Sequence, residues 1–329
     1  MTKIGIPDID PVLEQELLAS MAEVEVLLRG SIEGKYPLVI ETSRHLVDAG
    51  GKRLRPLLTL IASQFGNPKA KGIIEAAVVC ELTHLGTLYH DDVMDEAPLR
   101  RGVESANNRW NNTVAILTGD YLFAKTSQLL ADLGPEAVRL QAFTFERLVI
   151  GQITETQGSS EGKTQLEHYL NVVADKTASL ISASARYGAM ISGADVKIMD
   201  ALTKFGEEIG TVFQLADDII DIASDSKESG KTPGTDLREG VPTLVTLFIL
   251  ESNDPADVDL KKILSAPITD EVVVAETIMK LRSHSALTKS RELVAGYGQS
   301  AQKHLEILPE GPAKAALVGL SQAVISRTS

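Results

Sequence analysis

Two aspartate-rich stretches are the part of this chain best suited to chemistry. Asp-Asp-Val-Met-Asp occupies 91–95, and Asp-Asp-Ile-Ile-Asp occupies 217–221. Each lies in a long apolar run that reads as helix. Because residues three or four apart share a helix face, each stretch is expected to point three carboxylates at one place. Oxygen ligands of this kind suit Mg²⁺, which combines carboxylates with substrate phosphates. The two stretches therefore predict a site that holds a diphosphate through bridging magnesium ions.

Acidic clusters are often only solvated helix ends, so each stretch alone is weak evidence. Here apolar turns precede both copies, at 82–88 and 209–215. Placing three carboxylates beside such surface is costly without a counter-ion. The pair therefore favours metal binding over a solvated acidic face.

Basic residues supply the complementary half of the predicted site. Gly-Lys-Arg-Leu-Arg-Pro at 51–56 is a cationic patch that opens a helix, and Arg100 and Arg101 follow the first aspartate stretch. Guanidinium groups bind phosphate oxygens in pairs, and lysine adds a point charge. Any one of these pairs alone is typical of a soluble surface. Together with the aspartates they indicate phosphate binding.

Composition limits the class of protein. The chain has 329 residues, 43% of them apolar, and a formal net charge of −13. That charge argues against nucleic acid or an anionic membrane surface as the main partner. The single cysteine, Cys80, excludes an internal disulfide and fits a cytoplasmic location. We expect no signal peptide and no membrane span, since no run of about 18 apolar residues occurs.

The elements that must position these residues read as helices from end to end. Apolar residues recur every three or four positions, Asp10 is a plausible N-cap, and Pro135 stands at a helix start. Strand alternation is close to absent and no hairpin is expected. A pattern-poor loop is expected at 224–242, and surface helices after Asn253. Helices are predicted at 11–28, 56–65, 71–96, 112–133, 135–157, 166–192 and 197–223.

In order and approximate spacing, these motifs resemble the trans-polyprenyl diphosphate synthase family. Besides the two aspartate stretches, the matching motifs are Gly-Lys-x-x-Arg-Pro at 51–56, His84 with His90, Arg-Arg-Gly at 100–102, Gly-Asp at 119–120, Lys-Thr at 176–177, Phe-Gln at 213–214 and Gly-Lys at 230–231. The resemblance covers roughly 50–245. It implies an all-α fold: one domain over 1–329, a helical bundle around a central cavity (the isoprenoid synthase fold). It also implies a homodimer.

The resemblance further implies the role of each residue. In this family three Mg²⁺ ions clamp the diphosphate of an allylic substrate, which reacts with isopentenyl diphosphate. By position, the metal ligands are Asp91, Asp92, Asp95, Asp217, Asp218 and Asp221, with Asp217 the principal ligand of the second stretch. Lys52, Arg55, His84 and Arg101 match the isopentenyl diphosphate pocket. Arg100, Lys176 and Lys231 match groups that hold the allylic diphosphate, and Thr177 and Gln214 match groups that line the carbocation. No side-chain base is required, since the released pyrophosphate takes the proton.

Two departures from the family pattern concern residues outside the aspartate stretches. Val241 stands where the family usually has a lysine, so one diphosphate anchor is missing or replaced by a group such as Arg238. Trp110 and Asn111 stand where Phe-Gly is common. Activity is expected to survive both changes.

Product length depends on the residues before the first aspartate stretch, which line the elongation cavity in this family. Gly86 and Thr87 are small there, and Gly86 lies about 7 Å along the helix from Asp91. We therefore expect a long-chain product, in the range of quinone side chains, with transient membrane contact on release. A floor made by Phe123 would instead shorten the product.

Three alternatives stay open at this point. A short-chain synthase making farnesyl or geranylgeranyl diphosphate would share every motif. A class I terpene cyclase would carry a different second metal motif and lack Lys52, Arg55 and His84. A non-catalytic partner subunit would have lost one aspartate stretch, whereas both are complete here.

Overall fold

The computed structural model describes residues 3–159, 162, 164–223 and 233–327. Within these residues the protein is all-α apart from one small hairpin, which confirms the predicted fold class. None of the described helices combines the length and the apolar character that crossing a bilayer would take.

The first half of the chain runs from α1 to α7. The elements are α1 (Pro11–Gly30), α2 (Pro37–Asp48), α3 (Leu54–Ser63), α4 (Ile73–Met94), β1 (Leu99–Arg100), β2 (Val103–Glu104), α5 (Ala106–Arg109), α6 (Asn112–Leu133) and α7 (Pro135–Gln157).

The second half begins with a helix that contains a π-helical turn. The elements are α8 (Gln165–Val173), the π turn (Ala174–Ala178), α9 (Ser179–Ser192), α10 (Val196–Ala223), α11 (Thr235–Glu239), α12 (Leu244–Leu250), a 3₁₀ turn (Pro255–Asp257), α13 (Val258–Leu264), α14 (Glu271–Ser283), α15 (Ser285–His304) and α16 (Pro312–Ser326).

Side-chain caps explain several of the helix starts. The carboxylate of Asp10 accepts hydrogen bonds from the amides of Val12 and Leu13, at 3.0 and 2.9 Å, which confirms the predicted N-cap. Asn111 caps α6 through the amide of Val114 at 2.9 Å. Such caps satisfy N–H groups that the first turn leaves without partners.

The chain forms two compact units, which are described separately. The first contains the chain up to Phe145, with Leu180–Thr203 and Ile307–Leu317. Its core joins α4, α6, the start of α7 and α9, where Ala76, Val79, Cys80, Leu130, Ala137, Ala183 and Tyr187 form one buried cluster. Helix α9 also approaches α3 closely, because a Cβ at Gly188 would lie 2.0 Å from the carbonyl oxygen of Thr59.

The second unit contains Glu146–Ser179, Lys204–Glu306 and the chain from Val318. In its core α12 packs against α15. Gly298 of α15 lies so close to Ile325 of α16 that a Cβ there would approach the Ile325 side chain to 2.2 Å. The prediction of a single domain over 1–329 stays a prediction.

The small hairpin corrects the expectation that none would occur. Leu99 pairs with Glu104 and Arg100 with Val103 in antiparallel register. The turn residues Arg101 and Gly102 both have positive φ, 54° and 78°. This is the backbone twist that two-residue hairpin turns need.

Candidate active site

The first aspartate stretch ends α4, and its three carboxylates have different environments. Asp92 is fully buried, and its Oδ1 accepts a hydrogen bond from Arg100 Nε at 2.6 Å. Asp91 is partly exposed, and Asp95 follows the last residue of α4 and is exposed. Burial raises the pKa of Asp92, although Arg100 opposes this shift.

The Asp92 carboxylate suits a cation. Its Oδ2 is buried and has no hydrogen-bond partner among the described residues. A buried polar oxygen without a partner is costly, and a bound cation would satisfy it. Carboxylate oxygens are also the ligands that Mg²⁺ prefers. The residues present therefore fit the implied metal.

A buried glutamate organises the basic residues near α3 and α4. Glu81, 2% exposed, lies 2.7 Å from Arg53 Nη1 and 3.7 Å from Arg101 Nη2. Arg53 also binds Glu25 at 2.6 Å and is itself buried, so it holds the structure together rather than facing a ligand. Arg55 lies in the field of the same glutamate. Glu81 thus offsets the repulsion between three neighbouring guanidinium groups.

The hairpin positions Arg101 in this cluster. Arg101 Nη1 donates to the carbonyl of Leu46 at 2.9 Å and to that of Gly50. A Cβ at Gly51 would lie 3.0 Å from the Arg101 guanidinium carbon, so the glycine leaves room for it.

His84, one helical turn after Glu81, is neutral near pH 7. Burial, and then the charges of Arg55 and Arg101, lower its pKa well below the usual value. Lys52 precedes Arg53 and Arg55 in the sequence, and its side chain is exposed. The structure thus places Arg55 and Arg101 near Glu81, a residue outside the predicted motifs, and puts His84 in the field of both guanidinium groups. The sequence signal that could have identified Glu81 is the presence of a charged residue inside an apolar helical run.

The predicted chain-length residue Gly86 is in contact with an aromatic ring. A Cβ at this position would lie 3.0 Å from two ring carbons of Phe123 on α6. The Phe123 ring also packs against Phe145, with centroids 4.6 Å apart. Thr87 turns back on its own helix and donates to the carbonyl of His84 at 2.8 Å. Phe123 therefore occupies the space that the absent side chain of Gly86 leaves open.

In the second unit, the π turn carries Lys176 and Thr177. The Lys176 ammonium binds Glu155 of α7 at 2.6 Å. The Thr177 hydroxyl donates to Gln214 Oε1 of α10 at 3.2 Å. The structure thus brings together Thr177 and Gln214, as the predicted shared role requires, and adds Glu155.

The second aspartate stretch lies at the end of α10. Asp217 binds Arg327, which follows α16, at 2.7 Å. Asp218 is buried and accepts hydrogen bonds from Tyr169 and, at 2.9 Å, from Gln214 Nε2. Burial raises the pKa of Asp218 to about 7, while these two hydrogen bonds oppose the shift.

The expectation that each stretch points three carboxylates at one place stays a prediction. In the described part of the chain, no three His, Cys, Asp or Glu side chains converge as a metal site would require. Asp92 and Asp218 turn into the protein, and Asp221 accepts from the amides of Thr235 and Asp236 at 3.3 Å. Divalent ions that also take phosphate oxygens need only one or two carboxylates.

Three further positions were singled out in the sequence: Lys231, Arg238 and Trp110. Lys231 lies outside the described residues. Arg238, the suggested replacement for the lysine absent at Val241, is held by Glu271 through two contacts of 2.7 and 2.8 Å. Trp110 packs under the guanidinium of Arg109, 4.6 Å from its ring centroid.

Comparison with known proteins places these features in a family. Residues 36–281 match the family model described as polyprenyl synthetase. The chain is 46% identical to a nonaprenyl diphosphate synthase from Mycobacterium tuberculosis, over 97% of this chain and 95% of that protein.

Two crystal structures are similar over nearly the whole chain. One is a geranylgeranyl pyrophosphate synthase from Corynebacterium glutamicum complexed with calcium and isoprenyl diphosphate (TM-score 0.87, 42% identity, 97% of this chain and 98% of that one). The other is a decaprenyl diphosphate synthase from Rhodobacter capsulatus (TM-score 0.87, 32% identity, 96% and 98% covered).

Proposed function

The chain belongs to the polyprenyl synthetase family, and we propose that it is a magnesium-dependent prenyltransferase that joins isopentenyl diphosphate to farnesyl or geranylgeranyl diphosphate. The product is a long all-trans polyprenyl diphosphate, of the length found on quinone side chains. The observation that carries the proposal is the buried carboxylate of Asp92, with one oxygen on Arg100 and the other without a protein partner.

The metal ligands of the proposal are those that the sequence predicted. Asp91, Asp92 and Asp95 are the ligands of the first stretch, and Asp217, Asp218 and Asp221 are those of the second, with Asp217 the principal one and three ions in all. When bound, Mg²⁺ supplies the positive charge that stabilises the departing diphosphate. Arg327 would compete with the ion for the Asp217 carboxylate, since it pairs with Oδ1 at 2.7 Å.

The basic cluster of the first unit is proposed to bind isopentenyl diphosphate. Arg55 and Arg101 provide two fixed positive groups, and Lys52 adds a third from an exposed position. Neutral His84 adds a hydrogen bond without further crowding the cationic site. Because Glu81 offsets the repulsion between these guanidinium groups before substrate arrives, less reorganisation is needed on binding.

The allylic substrate is proposed to react near Thr177 and Gln214. Breaking its C–O bond leaves an allylic cation, which oriented dipoles stabilise. The Thr177 hydroxyl and the Gln214 amide are already oriented by their mutual hydrogen bond of 3.2 Å. Arg100, Lys176 and Lys231 are assigned to the allylic diphosphate. The double bond of isopentenyl diphosphate attacks the cation, and the released pyrophosphate takes the proton.

Two product lengths are considered, a long chain and a geranylgeranyl-length chain. A long product is supported by the 46% identity to a nonaprenyl diphosphate synthase and by the small residues Gly86 and Thr87. A shorter, geranylgeranyl-length product is favoured by the Phe123 ring, which fills the space beside Gly86.

Three further features belong to the proposal. A homodimer is supported by exposed apolar side chains on α6 and α7, such as Leu117 (60% exposed) and Phe143 (65%). A cytoplasmic location is supported by the single cysteine, Cys80, which is a buried thiol. A long apolar product implies transient contact with a membrane when it is released.

A ligand-binding experiment tests the metal and diphosphate assignment independently of turnover. Saturating Mg²⁺ with pyrophosphate, at about 100 times the dissociation constant, should stabilise the protein by about 2.7 kcal/mol. Asp92→Asn should abolish this stabilisation, whereas Asp200→Asn should keep it, because Asp200 pairs with Arg186 at 3.2 Å and belongs to neither aspartate stretch. Equal stabilisation of both variants would contradict the assignment.

A further inference from the structure

The π turn at Ala174–Ala178 interrupts a helix that otherwise runs from Gln165 to Ser192. The carbonyl of Ala174 accepts a hydrogen bond from the amide of Ser179, five residues later. Such turns insert one extra residue, are disfavoured in isolation and occur frequently at functional sites. Contacts from neighbouring helices must therefore keep this turn in place.

Three residues on one face of helix α7 provide such contacts. Arg147 donates from Nε to Asp175 at 2.7 Å and from Nη2 to the Ala174 carbonyl at 3.2 Å. One turn later, a Cβ at Gly151 would lie only 2.7 Å from the backbone nitrogen of Lys176. One turn further, Glu155 binds the Lys176 ammonium. Residues spaced by four share a helix face, so all three act on the same turn.

Helix α10 holds the other side of Arg147. Glu207 accepts from Nη1 at 3.1 Å and also from Nη2. Two turns along the same helix, Gln214 accepts the hydroxyl of Thr177. The planar fork of arginine can serve Asp175, Glu207 and the Ala174 carbonyl together, whereas lysine offers only a point charge. The hydrogen bonds of Glu207, followed by those of Asp175, raise the pKa of Arg147, so its charge is permanent.

We infer that Arg147 is a positioning residue for prenyl transfer: it holds the π turn against α7 and α10, and so fixes the Lys176 ammonium and the Thr177 hydroxyl. This inference rests on the proposed function, which gives those two groups their roles toward the allylic substrate. Arg147 touches neither substrate in this account.

The solvent exposure of the three charged side chains indicates that Arg147 matters more for turnover than for the stability of the fold. Arg147, Asp175 and Glu207 are 38, 33 and 31% exposed. Ion pairs this accessible are screened by solvent and contribute little to stability. A displacement of about 1 Å at reacting groups, by contrast, costs up to about 100-fold in rate. Loss of Arg147 is therefore expected to affect turnover far more than folding.

The test compares Arg147→Met and Arg147→Lys with Arg186→Met as a matched control. Arg186 binds Asp200 and the hydroxyl of Thr203 at 3.2 Å each and is 32% exposed, much like Arg147, and these partners lie outside the π turn. Steady-state kinetics would be measured with the allylic and the isopentenyl substrate varied separately. Hydrogen exchange of the 174–178 amides would be followed by mass spectrometry.

We expect Arg147→Met to lower kcat/KM for the allylic substrate about 10- to 100-fold, with KM for isopentenyl diphosphate within about twofold of its original value. Its melting temperature should fall by no more than about 4 °C, exchange at 174–178 should accelerate, and Arg147→Lys should recover part of the activity. Arg186→Met should change none of these.

Two results would overturn the inference: unchanged allylic kinetics in Arg147→Met, or an equal loss toward both substrates in Arg147→Met and Arg147→Lys alike. If the unmodified protein shows no prenyl transfer, the proposed function fails instead. The exchange measurement still shows whether Arg147 holds the turn.

Discussion

Glu81→Gln should destabilise this protein more than its conservative chemistry suggests. Glu81 is 2% exposed and faces Arg53, whose side chain is 4% exposed, at 2.7 Å. Removing one member of a buried ion pair costs about 3–5 kcal/mol, because the other charge is left uncompensated. Arg53 keeps Glu25 and the carbonyl of Val47, at 3.1 Å, as acceptors. We therefore expect Glu81→Gln to lower the free energy of unfolding by about 3 kcal/mol, the lower end of this range.

Glu25→Gln is the matched control for this prediction. Glu25 binds the same Arg53 at 2.6 Å, but its side chain is 33% exposed. A pair that water reaches is worth about 0.2–1 kcal/mol. Urea unfolding followed by circular dichroism gives both free energies of unfolding. If Glu81→Gln lost no more stability than Glu25→Gln, the account of Glu81 as the central counter-ion would be refuted.

Three further predictions concern the product, the metal and the pH dependence. Phe123→Ala should lengthen the product by at least one isoprene unit, since its ring fills the space beside Gly86; chromatography of dephosphorylated products measures this, and an unchanged length would contradict it. Arg327→Gln should tighten Mg²⁺ binding to diphosphate-free protein about two- to fivefold, because the competing ion pair with Asp217 is gone; calorimetry would show the reverse if Arg327 assists the metal. The pKa of Asp218 is raised to about 7, so the folded state binds the extra proton, and metal-free stability should fall as pH rises from about 4 through 7. Melting curves of Asp218→Asn, recorded over the same pH range, should not show this fall in stability.

Several helices were predictable because capping residues, glycine and proline mark their ends in the sequence. The predicted bounds 112–133 and 135–157 agree with α6 and α7. Asn111 caps the first, Gly134 ends it with a φ of 97°, and Pro135 begins the next. These are short-range effects that a sequence displays directly.

Other features depend on contacts that local patterns do not show. The sequence pattern predicts no helix at α2, and it predicts one regular helix over 166–192. The π turn within that stretch is held by Arg147 and Gly151 from a different helix. The hairpin strands are two residues each, too short for alternation to be visible.

The residue types of the site were predictable, but their partners were not. Arg55, His84 and Arg101 are predicted from motifs, and the structure places the two arginines near Glu81, which no motif includes. Glu155, Tyr169 and Arg327, which bind predicted site residues, belong to no recognised motif. Their importance follows from tertiary proximity alone.

Prenyl transfer would be measured by incubating the protein with labelled isopentenyl diphosphate, Mg²⁺ and farnesyl or geranylgeranyl diphosphate, and sizing the dephosphorylated products. We expect magnesium-dependent incorporation that is lost in Asp92→Asn, with a ladder of products reaching at least thirty carbons. Products that stop at fifteen or twenty carbons would retain the reaction and reject the long-chain assignment. No incorporation with either primer would contradict the account.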